Sequence, residues 1–289
     1  MHDDIDAVIK NWLPPGKPVF YYPIPGNAGD ALIAAATWQC FDRMQVHPTV
    51  TSPARFIKNA PVILAGGGNL IPEYHDIADA LEACLEHEVS SCLLLPHTIR
   101  GHESLLNRLD KRFTLVCRDH TSLMHVQRHA SNATTLLAHD MVMGLDIAAL
   151  NRRTRLMRHR LELLLDRAWR KHRRAWRLAL VRQQPNAEGS LTILRCDVEA
   201  NTMPPRSPDL DLMNFYTTGC MNRAGCDQVS MDLITLLRSA RSVLTDRLHV
   251  ALPSAILGLE VNILDNNYGK LSAVWKTSLD GRYPNARMV

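Results

Sequence analysis

The sequence lacks any apolar stretch long enough to cross a membrane and any leader-like segment at its start. No run of about 18 apolar residues occurs, so we expect no transmembrane helix. Residues 1–6 are rich in aspartate and lack the apolar region of a secretory signal peptide. These absences argue against a membrane-spanning protein. They predict a cytoplasmic one that associates with a membrane at most peripherally, at its inner face.

Paired cysteines and the common phosphate-binding sequences are also missing. The chain has 7 cysteines, none in a Cys-x-x-Cys pair, and the odd number fits reduced thiols. Cys220 and Cys226 lie near one another, but no His or Cys completes a zinc set with them, so we expect no metal. No Gly-Lys-Ser/Thr sequence marks a Walker A loop, and Gly66-Gly67-Gly68 lacks the spacing of a dinucleotide fingerprint. P-loop hydrolases and NAD-binding enzymes are therefore not indicated.

Positive charge is concentrated in one segment. The net charge is +4, but residues 151–182 hold twelve Arg and Lys against two acidic residues, so the rest of the chain carries about −6. Apolar residues recur there at helical spacing, which predicts one or two amphipathic helices. Either the apolar stripe packs on the protein itself, or Trp and Leu enter an anionic membrane surface while Arg meets lipid head groups. Nucleic acid is not expected as a partner, because no aromatic platform or known nucleic-acid motif accompanies the charge.

Length and apolar pattern predict an α/β protein with two domains. A chain of 289 residues exceeds the usual single-domain size. Short apolar runs alternate with helix-like stretches in the first half, which is typical of a parallel sheet with helices on both faces. We expect a first domain over residues 1–150, an arginine-rich helical segment over 151–182 and a second α/β domain over 183–289.

Polar or glycine-rich loops follow the apolar runs of the first half. In an open α/β sheet, ligands bind beyond the carboxyl ends of the strands, and glycines let the backbone approach a ligand closely. The alternative for any single loop is ordinary turn geometry. The loops are Gly26-Asn27-Ala28-Gly29-Asp30, Gly66-Gly67-Gly68-Asn69-Leu70, Pro96-His97-Thr98 and Arg118-Asp119.

The sequence Thr245-Asp246-Arg247-Leu248-His249 is the most informative loop of the second half. An apolar run precedes it, a helix-like stretch follows, and another apolar run ends at Asp265, which is the pattern of a parallel strand–helix–strand unit. A helix start favours anions, and Arg and His add a bidentate cation and a titratable donor. We predict a pocket for a small phosphorylated or carboxylated substrate. Alternatively, Arg247 pairs with Asp246 or a neighbour, and His249 merely packs.

Taken in order along the chain, these motifs resemble the polysaccharide pyruvyl transferases over about residues 20–280. Asp140-Met141 and Asn266-Asn267-Tyr268-Gly269-Lys270 extend the resemblance. It implies two Rossmann-like domains facing across a cleft, similar to the GT-B arrangement. It also implies phosphoenolpyruvate as donor, with no further cofactor, and a pair of sugar hydroxyls as acceptor. The product would be a pyruvate ketal on an exopolysaccharide or its lipid-linked precursor. His97, Thr98 and Val250 depart from the family pattern.

The resemblance and the strand-end placement together indicate roles for individual residues. We expect His249, Asp30 and His97 to be catalytic. The expected donor-binding residues are Arg247, Arg195, Arg118 and Lys270. The expected acceptor or loop contacts are Asn27, Gly67, Gly68 and Asn69.

Each of these roles has a structural alternative. Asp30 is also a common helix cap. Arg118 could pair with Asp119 or Asp140, and Lys270 could be a plain surface lysine. Two other functions also fit the sequence. One is a GT-B-type glycosyltransferase that uses a nucleotide sugar. The other is a non-catalytic accessory subunit of polysaccharide assembly that docks through residues 151–182.

Overall fold

The chain forms two compact units. The computed structural model describes residues 2–13, 16, 18–201, 211–216 and 222–289. The first unit comprises Met1–Ile24 and Thr37–Met141, and the second comprises Pro25–Ala36 and Val142–Val289. Residues 25–36 therefore group with the second unit, whereas the sequence pattern placed them within a domain of residues 1–150.

A parallel sheet forms the centre of the first unit. Its strands among the described residues are β1 Phe20–Tyr22, β2 Thr49–Val50, β3 Pro61–Leu64, β4 Gly67–Leu70, β5 Ser91–Ile99, β6 Phe113–Cys117 and β7 Thr134–Leu137. They pair in the order β2-β1-β3-β5-β6-β7, and β4 pairs with β5 off this path. Every pairing is parallel. All four residues of β3 are buried, as expected for an inner strand of a parallel sheet.

Helices supply the crossovers that parallel strands require. They are α1 Ile5–Trp12, α2 Ala28–Arg43, α3 Asp76–Glu86, α4 Glu103–Leu106 and α5 His120–His129, with a 3₁₀ turn at Pro53–Arg55. Residues of α2 from Thr37 onward belong to the first unit. The α/β class and the parallel sheet predicted from the sequence are confirmed. The GT-B-like cleft stays a prediction.

Two predicted loops of the first unit are strands instead. Leu95 was expected to end a strand, but β5 continues to Ile99 with a register shift between Leu94 and His97. The Gly-Gly-Gly-Asn sequence was expected to be a loop, yet β4 runs from Gly67 to Leu70 and pairs with this extension. The physical reason is that β4 pairs with the last residues of β5 and supplies backbone hydrogen-bond partners for them. A glycine run carries no side-chain pattern that would reveal this pairing.

The second unit contains a smaller parallel sheet. Its described elements are helices α6 Ile147–Thr154, α7 Met157–Leu165, α8 Arg167–Arg182, α9 Arg223–Leu237, α10 Leu248–Ile256 and α11 Lys270–Ser278, and strands β8 Ser190–Ile193, β9 Ser242–Thr245, β10 Glu260–Ile263 and β11 Ala286–Met288. A 3₁₀ turn covers Leu212–Phe215, and another covers Met141–Gly144. The strands pair in parallel in the order β11-β10-β9-β8. The predicted strand–helix–strand unit around Arg247 and His249 is confirmed as β9, α10 and β10.

The arginine-rich segment forms α7, α8 and the end of α6. Trp169, Trp176 and Ala179 of α8 are buried in one apolar cluster with Leu191 and Ile193 of β8. The tryptophans therefore cannot enter a membrane, because they fill the core of the second unit. The leucines of α7 behave differently, since Leu161, Leu164 and Leu165 are exposed. No helix of the described residues combines the length and the apolarity that a membrane crossing needs.

Candidate functional site

Helix α2 begins with a hydrogen-bonded cap made by residues of the Gly-Asn-Ala-Gly-Asp sequence. The Oδ1 atom of Asn27 accepts a hydrogen bond from the backbone N–H of Gly29 at 2.7 Å. The Oδ2 atom of Asp30 accepts one from the backbone N–H of Asn27 at 2.8 Å. This reciprocal pair satisfies donors that a helix start otherwise leaves open. The capping alternative for Asp30 is thus observed, while proton acceptance by Asp30 stays a prediction.

The imidazole of His249 lies against this cap, within the second unit. His249 is the second residue of α10, and Arg247 is the N-cap residue. A Cβ atom placed on Gly29 would lie 2.8 Å from Nδ1 of His249 and 3.2 Å from its Cβ. Because real Cβ atoms are essentially never found so close, the contact requires glycine at position 29. Residues far apart in sequence are brought together here by the fold.

His249 therefore belongs to the first turn of α10 and lies against the first turn of α2, and it is half-buried. Each helix N-terminus presents backbone N–H groups and a partial positive charge, which favours a bound anion. The imidazole adds a polar side chain with two ring nitrogens that can take part in hydrogen bonds. Binding of a small anion beside a proton-donating His249 stays a prediction.

Arg195 and Arg247 of the second unit lie in a cluster of ion pairs. Asp211 accepts hydrogen bonds from two nitrogens of Arg247, one of them Nε at 3.0 Å. Asp197 lies 2.9 Å from a terminal nitrogen of Arg247 and 2.9 Å from Nε of Arg195. Arg247 is thus paired with acids, as the alternative supposed, but these partners are Asp211 and Asp197, which are distant in sequence, and not the adjacent Asp246. One carboxylate, that of Asp197, bridges both arginines.

Lys270 belongs to the same cluster through Glu199. The Nζ atom of Lys270 lies 3.0 Å from Oε2 of Glu199, and a terminal nitrogen of Arg195 lies 2.7 Å from Oε1. Tyr268 donates its hydroxyl hydrogen to Oε2 at 2.7 Å. Burial alone would raise the pKa of Glu199, but the nearby Lys270 and Arg195 hold it well below its usual range. Lys270 is buried, so it is not the plain surface lysine considered as an alternative.

Among the acids of this cluster, Asp197 is the most accessible. Its side chain is 22% exposed, whereas the side chains of Glu199 and Asp211 are 4% and 0% exposed. An anionic ligand that binds Arg195 and Arg247 would replace the most accessible carboxylate at the least cost. The sequence prediction missed all three acids. The alternation Arg195-Cys196-Asp197-Val198-Glu199 directly after a strand was the available signal.

In the first unit, His97 and the glycine motif lie on paired strands. The imidazole of His97 is fully buried, and its Nε2 lies 3.0 Å from Oδ1 and 3.2 Å from the backbone nitrogen of Asn69. A Cβ atom on Gly67 would lie 3.2 Å from Cε1 of His97. Gly68 follows in β4 and is half-buried. These contacts join β4 to β5, and acceptor binding by the four residues stays a prediction.

Arg118 takes part in a buried network of motif residues. It forms an ion pair of 2.6 Å with Asp140 and donates to Oγ1 of Thr98 at 2.9 Å. Thr98 donates to Asp119, which accepts the N–H of Ser122 at the start of α5. The structural alternative for Arg118 is therefore observed, with Asp140 as partner. Arg118 is 0% exposed, so a role in donor binding would require this network to open.

The sequence model of the polysaccharide pyruvyl transferases matches residues 27–268. The chain belongs to the polysaccharide pyruvyl transferase family. The match begins at the Asn27 cap and ends at Tyr268, and it includes the buried network of the first unit and most of the charged cluster of the second. The resemblance drawn from the ordered motifs is thereby confirmed. The family indicates a transferase that acts on polysaccharide.

One solved structure resembles this family member over nearly its whole length. It is the crystal structure of an uncharacterised protein from Klebsiella pneumoniae, 24% identical, with a TM-score of 0.74. The alignment covers 99% of this chain and 96% of the other. At this identity the likeness concerns the fold alone. No curated protein matches the sequence.

Proposed function

We propose that the protein transfers the enolpyruvyl group of phosphoenolpyruvate to two hydroxyls of a saccharide and so forms a pyruvate ketal. The observation that carries this proposal is His249, held between two helix starts in the second unit beside Gly29. It supplies a proton donor where an anion is favoured. Family membership supplies the reaction class. No cofactor is invoked besides the donor itself.

Ketal formation assigns a defined task to each group. A proton from His249 adds to the methylene carbon of phosphoenolpyruvate, which leaves the central carbon cation-like. One sugar hydroxyl adds to that carbon and loses its proton to a base, for which Asp30 is the candidate. The C–O bond to phosphate then breaks with uptake of a proton. The second hydroxyl adds, loses its proton and closes the ring, so that inorganic phosphate and the ketal are the products.

Arg195, Arg247 and Lys270 bind the anionic groups of the donor in this proposal. They are already paired with carboxylates, so binding is an exchange of one anion for another. The carboxylate of Asp197 is the one to be exchanged, because it bridges both arginines and is the most accessible. Arg forks hold carboxylate and phosphate equally well. Arg118, His97, Asn27, Gly67, Gly68 and Asn69 stay predicted contacts.

A thermal-shift comparison tests the donor. A ligand that binds only the folded state raises the melting temperature by mass action. We expect phosphoenolpyruvate to raise it at concentrations where inorganic phosphate has less effect. Stabilisation by a nucleotide sugar and not by phosphoenolpyruvate would indicate a glycosyltransferase instead. The absence of any ligand effect would favour a non-catalytic accessory subunit.

Two variants test the role of His249. His249→Asn should reduce turnover by about 10²–10⁴-fold, the usual contribution of a positioned acid or base. Gly29→Ala should also reduce turnover, because the new methyl group displaces the imidazole. Turnover is measured as phosphate release from phosphoenolpyruvate with saccharide acceptors. His172→Asn, which changes another half-buried histidine of the second unit, is the matched control. Full activity of folded His249→Asn would remove this residue from the mechanism.

We also propose that the acceptor is membrane-attached and that α7 rests on anionic lipid. Met157 and Leu165 of α7 are 67% and 78% exposed, and Leu161 and Leu164 are exposed beside them. Exposed arginines, among them Arg155 and Arg160, flank these apolar side chains. Apolar insertion combined with positive charge is the chemistry of binding to an anionic membrane surface.

Vesicle sedimentation tests this surface. The protein should bind phosphatidylglycerol vesicles and not phosphatidylcholine vesicles, and binding should weaken with salt. The double variant Leu161→Gln and Leu165→Gln should lose binding and keep its melting temperature. Val198→Gln, which changes an exposed apolar residue elsewhere in the second unit, should bind like the parent. Equal binding by the double variant would refute a lipid role for α7.

A further inference from the structure

A set of metal-ligand side chains lies on α4 and α5 of the first unit, apart from the motif residues. Glu103 begins α4, while His125 and His129 lie four residues apart on α5. One ligand atom from each of the three residues lies within 4.8 Å of the other two. Histidines at positions i and i+4 share one face of a helix, so both can reach the same ion.

A backbone hydrogen bond fixes the ring of His125. Its Nε2 lies 2.8 Å from the carbonyl oxygen of Gly101. Because a carbonyl only accepts, Nε2 is the donor, which leaves Nδ1 as the ring nitrogen that a metal can bind. Metal-bound histidines commonly donate their other N–H to a carbonyl or carboxylate in this way. The hydrogen bond is an independent sign that the ring is prepared for coordination.

We propose that Glu103, His125 and His129 bind one Zn²⁺ ion, with water completing the tetrahedral set. Two imidazoles and a carboxylate form a ligand set that zinc readily accepts. The ion would tie α4 to α5 beside Gly101, two residues after the end of β5. It takes no part in the proposed transfer reaction. The proposal is therefore independent of the proposed function.

Zinc titration of the chelator-treated full chain tests the site. Calorimetry should give one Zn²⁺ per chain, and zinc should raise the melting temperature. His125→Gln and His129→Gln should each weaken binding more than about tenfold, the lower end of the loss seen when even an outer partner of a ligand is removed. Glu103→Gln should weaken it as well. His75→Gln, which changes an exposed histidine of the same unit, should bind zinc like the parent.

A spectroscopic readout separates this site from other histidines and thiols. Co²⁺ in place of Zn²⁺ should give the visible absorption of a tetrahedral ion without thiolate ligands. The band should disappear in the His125→Gln, His129→Gln double variant. Unchanged zinc affinity and an unchanged cobalt spectrum in that folded double variant would overturn the proposal, as would the absence of zinc binding by the parent protein.

Discussion

Each unit holds a motif arginine against carboxylates, but the two arginines differ in how tightly they are enclosed. The side chains of Arg118 and Asp140 in the first unit are 0% and 1% exposed. Arg247 in the second unit is 7% exposed, and its partner Asp197 is 22% exposed. We call the fully enclosed pair of Arg118 and Asp140 a clamp. Arg247, in contrast, has a partly exposed partner, which we expect to be exchangeable.

The difference follows from the cost of separating charges in the two environments. Removing one partner of a buried pair leaves an uncompensated charge without water. A partly exposed carboxylate regains hydration when it moves away, so a competing anion can take its place. Arg118 also donates to Thr98, which ties it further into the strand ends. We therefore expect substitutions at Arg118 to affect folding, and substitutions at Asp197 to affect ligand binding.

The largest effect should come from Arg118→Met, which removes the buried charge and keeps the side-chain length. We expect a loss of about 3–5 kcal/mol in the free energy of unfolding, because the buried carboxylate of Asp140 loses its cationic partner. Urea unfolding measures the change. The control is Arg112→Met, which breaks a more exposed pair with Asp110 and should cost about 0–1 kcal/mol. Equal losses in the two variants would show that the first unit does not depend on this clamp.

Glu199→Gln tests whether the buried part of the second cluster also acts as a clamp. We expect a loss of about 1.5–3 kcal/mol at pH 7, since Lys270 and Arg195 lose a charged hydrogen-bond partner. Lys276→Gln, which changes a lysine on α11, is the control and should change stability little.

The direction of the pKa shift of Glu199 predicts how its contribution to stability changes with pH. The pKa of Glu199 in the folded chain lies below its ordinary value of 4.5, with burial opposing the shift and Lys270 and Arg195 causing it. The stabilisation is therefore complete above about pH 4.5 and is lost as the pH falls further. The stability difference between parent and Glu199→Gln should shrink from pH 5 to pH 3. A difference that grows on acidification would contradict this origin.

The sequence predicted the strands and helices better than the contacts of the site. The short apolar runs of the first half predicted a parallel sheet, which strands β3 and β6 illustrate, because burial on both faces leaves a continuous hydrophobic pattern. Helices α1 and α11 were not predicted. Strand β4 was missed because three consecutive glycines carry no pattern. Whether the tryptophans of α8 pack on the protein or enter lipid stayed open, because periodicity identifies an apolar face without saying what covers it.

The site was only partly predictable because its contacts join distant parts of the chain. The second unit contains all four residues that were predicted at its strand or loop ends, namely Arg195, Arg247, His249 and Lys270. No local signal shows that Gly29 lies against His249 or that Asp211 binds Arg247. The same limit explains why Arg118 was grouped with the donor-binding residues. An arginine at a strand end looks alike in sequence whether it binds a ligand or Asp140.

Asp197→Asn tests the difference between the two arginines, and it should have the smallest effect on folding. Removing this charge should change the free energy of unfolding by no more than about 1 kcal/mol, because the carboxylate is partly exposed and Arg247 keeps Asp211. Affinity for phosphoenolpyruvate should rise about tenfold, which corresponds to about 1.4 kcal/mol, because the bridging carboxylate no longer competes for the two arginines. Calorimetric titration with phosphoenolpyruvate, and with inorganic phosphate in parallel, measures the change.

Asp280→Asn, which changes an exposed aspartate of the same unit, should leave both affinities unaltered. Weaker binding in Asp197→Asn would mean that Asp197 orders the arginines for the ligand, and the second cluster would then be a clamp like the first.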